Sequence, residues 1–296
     1  MSALLIVLLI LLYTLQSFFC KIYTGSYPGC EDLASPVFTA VSGFTIALIS
    51  LGFAGFRFDA QWQTLLLGVV NALALFCYNR SLISASQNGP YSVLMVFMIA
   101  GGILIPTFAA SVFFDDQPSA IKYICIAVVL LSVYLISRKE SDSYRDKKRF
   151  FVSAILLGVS NGVYGTLLDA QQRLTGDAEK EELLCVTYAL ACLISFGQLL
   201  LKERRNFPAA MRQTRRSALF LICGSVVTAL AANLMVYILQ LINVTVLYTL
   251  DNSCVFLISV LFSCIFFKEK LTKLNLFGCA TMCAALVCIT EFWKSF

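Results

Sequence analysis

The 296-residue chain contains no histidine, and Asp, Glu, Lys and Arg together make up only 13% of it. Without histidine, a zinc site of the intramembrane-protease kind and a Ser/His or Cys/His catalytic pair are excluded. The chain also lacks a Gly-x-x-x-x-Gly-Lys loop, so it encodes no nucleotide-hydrolysing motor of that type. We therefore expect no catalytic residue, no metal and no cofactor, and a protein that is not an enzyme.

Long apolar runs dominate what is present, and 59% of the residues are hydrophobic. Runs near 20 residues are the length that crosses ~30 Å of hydrocarbon at about 1.5 Å per residue. The sequence therefore predicts an all-α integral membrane protein with ten transmembrane helices, in contact with membrane lipids. The predicted spans are 3–20, 34–55, 62–84, 90–114, 119–137, 150–170, 182–201, 217–240, 244–267 and 272–292.

The fourth and ninth spans repeat each other without a gap. Moved forward by 153 positions, Tyr91–Phe114 lies on Val244–Phe267, and the turn that follows carries an acid and then a hydroxyl residue in both copies. A repeat of five spans enters the membrane in the opposite orientation the second time, which is the usual architecture of secondary transporters. The sequence predicts two inverted five-helix repeats, 1–137 and 150–296, joined by a basic connector at 138–149.

The Lys and Arg residues are distributed unequally between the two sides of these spans. Seventeen of the 22 fall on one side, mainly in 138–149 and 202–216, and five fall on the other. The positive-inside rule places the first side in the cytoplasm and both termini outside, in a bacterial plasma membrane. Because these residues lie in interhelical loops, anionic lipid headgroups account for them, and we expect no nucleic acid partner.

The doubled turn allows a comparison with a known family. Phe114–Ser119 and Phe267–Thr272 each run from a phenylalanine through an acid to Pro or Leu and a hydroxyl residue. This turn, on two five-span units that cover nearly the whole chain, resembles the EamA-type ten-helix proteins of the drug/metabolite transporter superfamily. The resemblance implies export or exchange of a small metabolite through a cavity between the units, by alternating access and without ATP.

Asp251 is the deepest acid, about a third of the way into the ninth span. Polar groups inside hydrocarbon are costly and usually face the bundle interior, and Tyr248 and Asn252 share a helical face with Asp251. A carboxylate there needs a partner or holds a proton, which suits proton coupling or contact with a cation. A structural hydrogen bond to a neighbouring helix is the alternative.

Amides and phenols within other spans complete the predicted substrate-binding or coupling set, because they suit hydrogen bonding to a polar metabolite. They are Asn233, Tyr237 and Gln240 in the eighth span, Tyr13 and Gln16 in the first, Asn161 and Tyr164 in the sixth, and Asn71 and Tyr78 in the third. The same side chains also serve as links between helices, at roughly 0.6 kcal/mol per bond. Arg80 either extends to the headgroups or turns inward to pair with Asp251 or a substrate anion.

Small residues predict close packing and bending. Gly158 and Gly162 allow the sixth span to pack backbone to backbone, while Gly101, Gly102 and Pro106 favour a bend in the fourth. Such points would serve either as pivots for one unit rocking on the other or as purely structural kinks.

These residues together predict a secondary transporter, an exporter or exchanger of a small polar or amphipathic metabolite or drug, with protons as the coupling ion through Asp251. The alternatives are a membrane-embedded lipid-handling protein, such as a lipid-linked sugar flippase, and an enzyme. Amino acids, nucleosides, cationic drugs and sugar derivatives all fit the residues named.

Overall fold

The computed structural model describes residues 2–113, 120–137, 144–175, 179–202, 207–239, 241, 244–266, 268 and 271–289. In this part of the chain all regular structure is helical, as ten long helices and the single turn α8 (Phe207–Ala210). The long helices are α1 (Ser2–Ser26), α2 (Glu31–Phe53), α3 (Trp62–Asn88), α4 (Tyr91–Phe113), α5 (Ala120–Ser137), α6 (Lys147–Thr175), α7 (Lys180–Lys202), α9 (Arg215–Leu239), α10 (Val244–Phe266) and α11 (Lys273–Ile289).

Each long helix coincides with one predicted span, so the prediction of an all-α fold with ten helices is confirmed. Among the described residues, α1, α2, α3, α4, α6, α7 and α9 are long and apolar enough to cross a membrane, by length and composition. Shorter apolar helices run over Tyr123–Ile136 within α5 and Cys254–Phe266 within α10. The chain is therefore an integral membrane protein.

Three helices, α1, α3 and α6, run several residues past their predicted spans, and polar contacts lie at these ends. At the start of α6, the carboxylate of Asp146 accepts the backbone N–H of Arg149 at 3.0 Å, a typical N-terminal cap. At the end of α1, the ammonium of Lys21 donates to the carbonyls of Ser86 and Gly89, where α3 ends. These helix ends contain charged or polar residues, so a search for apolar runs does not include them in the predicted spans.

Polar contacts join the helix ends at two opposite ends of the bundle. At one end, Arg149 pairs with Asp32 at 2.9 Å, and the hydroxyl of Thr214 donates to the carbonyl of Ser26 at 3.4 Å. We call this end the basic face, because Lys21, Arg149 and Arg215 lie near the helix ends that meet there, and Arg80 lies in the half of α3 that leads to it. The other end, where α6 ends and α3 begins, is called the opposite face.

Assignment of the basic face to the cytoplasm stays a prediction. Labelling of the exposed Cys30, which lies at this face, by an impermeant thiol reagent in intact cells would contradict it.

Helix pairing follows a pattern that is symmetric between the two halves of the chain. Helix α1 packs against α9 and α10, as α6 packs against α3 and α4. Likewise α2 packs against α9, and α7 packs against α3. Three further contacts join helices that hold the same position in the two halves: α2 with α7, α4 with α10, and α5 with α11. Since α1 ends at the basic face and α6 begins there, this pairing favours the inverted-repeat architecture.

Glycines bring α4 and α6 together at the backbone. A Cβ on Gly101 would overlap the carbonyl group of Gly158, and one on Gly158 would lie 2.6 Å from the carbonyl oxygen of Phe97. A Cβ on Gly162 would overlap the carbonyl oxygen of Gly101. Backbone-to-backbone packing of α6 thus occurs against α4. Pro106 lies within α4, and its role as a pivot stays a prediction.

Candidate functional site

A polar cavity of about 110 Å³ lies inside the bundle, and both halves of the chain line it. Its walls come from α1, α2, α3, α4, α6, α7, α9 and α10. Eight residues singled out in the sequence line it: Tyr13, Gln16, Tyr78, Gly102, Asn161, Tyr164, Asp251 and Asn252. Its volume would hold about four water molecules at ~30 Å³ each.

Asp251 is the only charged residue among the described residues that line this cavity. Its side chain lies about a third of the way along α10 and is 8% exposed. Its Oδ1 atom is buried without a hydrogen-bond partner, and the carboxylate forms no ion pair with a described residue. A carboxylate so placed requires a proton or a cation, because an unpaired charge in a low-dielectric interior is strongly disfavoured.

Gly102 makes room for two amides beside this carboxylate. A Cβ at Gly102 would lie 2.7 Å from Nδ2 of Asn161 and 3.8 Å from Oδ1 of Asn252. The amide of Asn161 donates to the carbonyl oxygen of Met98 at 3.0 Å, which ties α6 to α4. Asn252 follows Asp251 directly and is 9% exposed. In the structure Gly102 therefore serves the cavity, whereas Gly101 serves the packing between helices.

Phenol groups form a second part of the cavity wall. The hydroxyls of Tyr164 and Tyr188 lie 3.4 Å apart, and the hydroxyl of Tyr78 donates to Sδ of Met98 at 3.2 Å. Together with Tyr13, these side chains offer aromatic surface and hydrogen-bonding tips, which suits ligands that are partly apolar.

The lining includes equivalent positions of the two repeats. Met98 and Asp251 are 153 residues apart, the shift that superposes the fourth span on the ninth, and Tyr13 and Tyr164 are equivalent at a shift of 151. The cavity therefore lies where the two halves meet, which is the usual position of a substrate site in transporters built from repeats.

Several polar residues singled out in the sequence do not line this cavity. Asn233 donates to Oγ of Ser50 at 3.0 Å and to the carbonyl of Ala229 at 2.8 Å, so it links α9 to α2. Tyr237 is 48% exposed on the outer surface of α9. Asn71 is fully buried elsewhere, with no hydrogen-bond partner for its amide among the described residues. Helical spacing identified shared faces, but it could not tell which neighbour each face meets.

Three further residues singled out in the sequence are not part of the described cavity wall. Arg80 is exposed at the basic face and does not line the cavity, which agrees with the headgroup interpretation. Gln240 and the side chain of Tyr248 lie outside the described residues.

Other lining residues were missed by sequence reasoning. Asn79 and Tyr188 line the cavity, as do the hydroxyl residues Ser17, Ser42 and Thr228. Asn79 had a signal, because it lies in the polar run from Tyr78 to Ser81 within an apolar span. Isolated Ser and Thr residues had none, since their hydroxyls bond to the preceding turn of a helix equally well on any face.

Polar contacts join the two halves of the chain at both faces of the bundle. At the opposite face, the carboxylate of Glu179 accepts the backbone N–H of Gln61 at 2.9 Å and the hydroxyl of Thr64 at 2.6 Å, and Gln171 donates to the same hydroxyl at 3.0 Å. We call this group the opposite-face latch. The Arg149–Asp32 pair is the basic-face latch. Each latch joins the first half of the chain to the second.

Apolar helices around an internal cavity to which both halves contribute polar side chains are typical of polytopic membrane proteins of the transporter class. Residues 150–291 match the EamA-like transporter family. One solved crystal structure superposes with a TM-score of 0.68 over 99% of this chain and 98% of its own, at 12% identity, so it is similar in fold. No curated protein matches the chain. The second half of the chain is therefore an EamA-like unit.

Proposed function

We propose that this protein is a secondary transporter that exchanges a small polar or amphipathic compound for protons by alternating access, with Asp251 as the coupling residue. The observation that carries the proposal is the buried carboxylate of Asp251, which has an unpartnered oxygen and lines a cavity between the two halves. The match of residues 150–291 to the EamA-like transporter family supports transport as the activity.

Coupling follows from the cost of leaving Asp251 ionised inside a closed bundle. Moving an unpaired carboxylate from water into the protein interior costs several kcal/mol, so closure of the empty cavity over the ionised form is disfavoured. A proton removes this penalty, and a cationic substrate offsets it. The halves therefore interchange when Asp251 holds one or the other, which produces proton–substrate exchange.

The lining indicates the chemistry of the substrate. Four phenols and several amides surround one carboxylate, and the described lining contains no Lys or Arg. Cations and neutral hydrogen-bonding compounds suit this surface, whereas phosphates and carboxylates would face the charge of Asp251 without a partner. Pockets that bury drug-sized ligands usually have about 300–1,000 Å³, so the cavity of about 110 Å³ must widen to admit one.

Alternating access requires that the two faces open in turn. The two latches give each face its own set of contacts between the halves, so one can break while the other holds. The close glycine contact between α4 and α6 lies between them and would persist as the region about which the halves rotate.

A flippase for lipid-linked sugars is less well supported by this arrangement. Eight helices contribute to the wall of the central cavity, and both faces carry contacts that join the halves. A lipid substrate would need a cavity that continues to the lipid-facing surface. The central cavity, at about 110 Å³, is small for such a substrate.

Transport by proteoliposomes tests the proposal. A panel of amines, amino acids and nucleosides would be screened for uptake driven by a pH gradient, with wild type and Asp251→Asn compared. We expect the gradient to drive uptake in wild type and to have no effect in the variant, which cannot exchange a proton. Asp169→Asn is the matched control, because Asp169 pairs with Arg173 at 3.0 Å at the end of α6. Gradient-driven uptake in Asp251→Asn at the wild-type rate would exclude Asp251 as the coupling residue.

A further inference from the structure

A second cavity, of about 540 Å³, lies at the basic face between α2 and α3 of the first half and α6 and α7 of the second. It shares no lining residue with the central cavity. We call it the basic groove. Its polar wall contains Arg80, Lys148 and Arg149, together with serine hydroxyls such as Ser81 and Ser84.

The charges of the basic groove leave two cations available to a ligand. Arg149 is already paired with Asp32, and Asp146 is held by the backbone N–H of Arg149 at 3.0 Å. Arg80 and Lys148 are exposed and form no ion pair with a described residue. With three basic and two acidic side chains, the groove has a net charge of one positive unit, which matches one phosphodiester.

An apolar surface continues from this charged end. Val152 and Leu156 line the groove and are 52% and 51% exposed. They follow Lys148 at intervals of four residues, so all three lie along one face of α6. From Lys148 to Leu156 this stripe extends about 12 Å along the helix axis, nearly the thickness of one hydrocarbon leaflet.

We propose that the basic groove binds an anionic phospholipid. The headgroup phosphate lies between Arg80 and Lys148, with serine hydroxyls as further donors, and an acyl chain covers Val152 and Leu156. Arg80, which makes no contribution to the central cavity, acquires a role as a lipid ligand. Because the groove is built from both halves beside the Arg149–Asp32 pair, the bound lipid stabilises the closed state of the basic face.

Lipid binding to the purified full-length protein in detergent tests this assignment. Native mass spectrometry would compare phosphatidylglycerol with the zwitterionic phosphatidylcholine, and with glycerophosphoglycerol as the soluble headgroup. We expect retention of phosphatidylglycerol in clear preference to both. In Arg80→Ala/Lys148→Ala we expect its affinity to fall about 25-fold, since each cation near a membrane surface contributes about fivefold.

Two further variants serve as controls. Arg215→Ala/Arg216→Ala removes the same charge from exposed residues of the same face outside the groove, and we expect less than a twofold change. Val152→Ser/Leu156→Ser removes the apolar wall at exposed positions and should weaken the lipid while leaving the charges in place. Equal binding of the two lipids would overturn the proposal. Equal losses of affinity for phosphatidylglycerol in Arg80→Ala/Lys148→Ala and Arg215→Ala/Arg216→Ala would also overturn it. Binding of the soluble headgroup as tightly as the lipid would also overturn it and indicate a site for free phosphate esters.

Discussion

Asp251 and Met98 occupy equivalent positions of the two repeats, and both line the central cavity, but only one of them can carry a charge. The lining of the cavity is therefore asymmetric, because only one of the two positions can hold a charge. Sequence reasoning could identify Asp251, because an acid among apolar residues has few structural explanations. Tyr188 was not, since a tyrosine in an apolar helix is as common at a lipid headgroup as in a cavity.

At the scale of this residue, chemical labelling offers a test that needs no substrate. Dicyclohexylcarbodiimide is apolar and reacts with protonated carboxyl groups in apolar surroundings. We expect it to modify Asp251 and to spare the exposed carboxyls Asp32 and Asp146, as measured by peptide mass spectrometry. Labelling should decline as the pH rises, because the ionised carboxylate does not react. Failure of the reagent to modify Asp251 at low pH, or labelling that does not decline as the pH rises, would contradict a carboxyl that takes up a proton there.

At the scale of elements, the contact between α4 and α6 depends on the absence of side chains. Gly101 meets the backbone of Gly158, so no rotamer change can accommodate a methyl group there. The sequence indicated which residues could support close approach but not which helix approaches, because Gly-x-x-x-Gly patterns describe one surface of a pair.

Gly101→Ala should lower the stability of the protein by about 1–3 kcal/mol, the usual cost of overpacking, because α4 must move away from α6. Gly197→Ala is the control, since a Cβ at Gly197 in α7 meets nothing within 4 Å. We expect this control to be more stable than wild type by about 0.5–1 kcal/mol, from the lower flexibility of alanine in a helix. Thermal unfolding in detergent measures both, and equal effects of the same sign would contradict this account of the packing.

At the scale of the whole molecule, the two latches differ in strength. Asp32 and Arg149 are 63% and 48% exposed, and exposed ion pairs contribute about 0–1 kcal/mol. Glu179 accepts two hydrogen bonds at the positive end of α3, and hydrogen bonds to charged groups contribute about 1.5–3 kcal/mol each. The Arg149–Asp32 pair is therefore the weaker of the two latches.

Glu179→Gln and Asp32→Asn should loosen different faces of the protein. We expect Glu179→Gln to raise hydrogen–deuterium exchange where α3 begins, near Gln61, by roughly tenfold or more, the effect of losing at least one charged hydrogen bond. Asp32→Asn should raise exchange near the start of α6 by at most about fivefold. Glu181→Gln is the control for Glu179→Gln, because it removes the same charge without affecting the bonds to Gln61 and Thr64. A rise in hydrogen–deuterium exchange at both faces in either variant would indicate general destabilisation and would contradict independent latches.

The sequence by itself determined the helices, their membrane setting and the single deep carboxylate, because each depends on local hydrophobicity, spacing or the presence of an acid among apolar residues. Only the tertiary structure decided which polar faces meet. It turned Asn161 and Tyr164 into the cavity, left Asn233 to link two helices and Tyr237 on the surface, and placed Arg80 and Lys148 in the wall of one groove. The physical reason is that a helical face gains its role from the neighbour that packs against it, and the choice of neighbour depends on shape and contacts between distant parts of the chain.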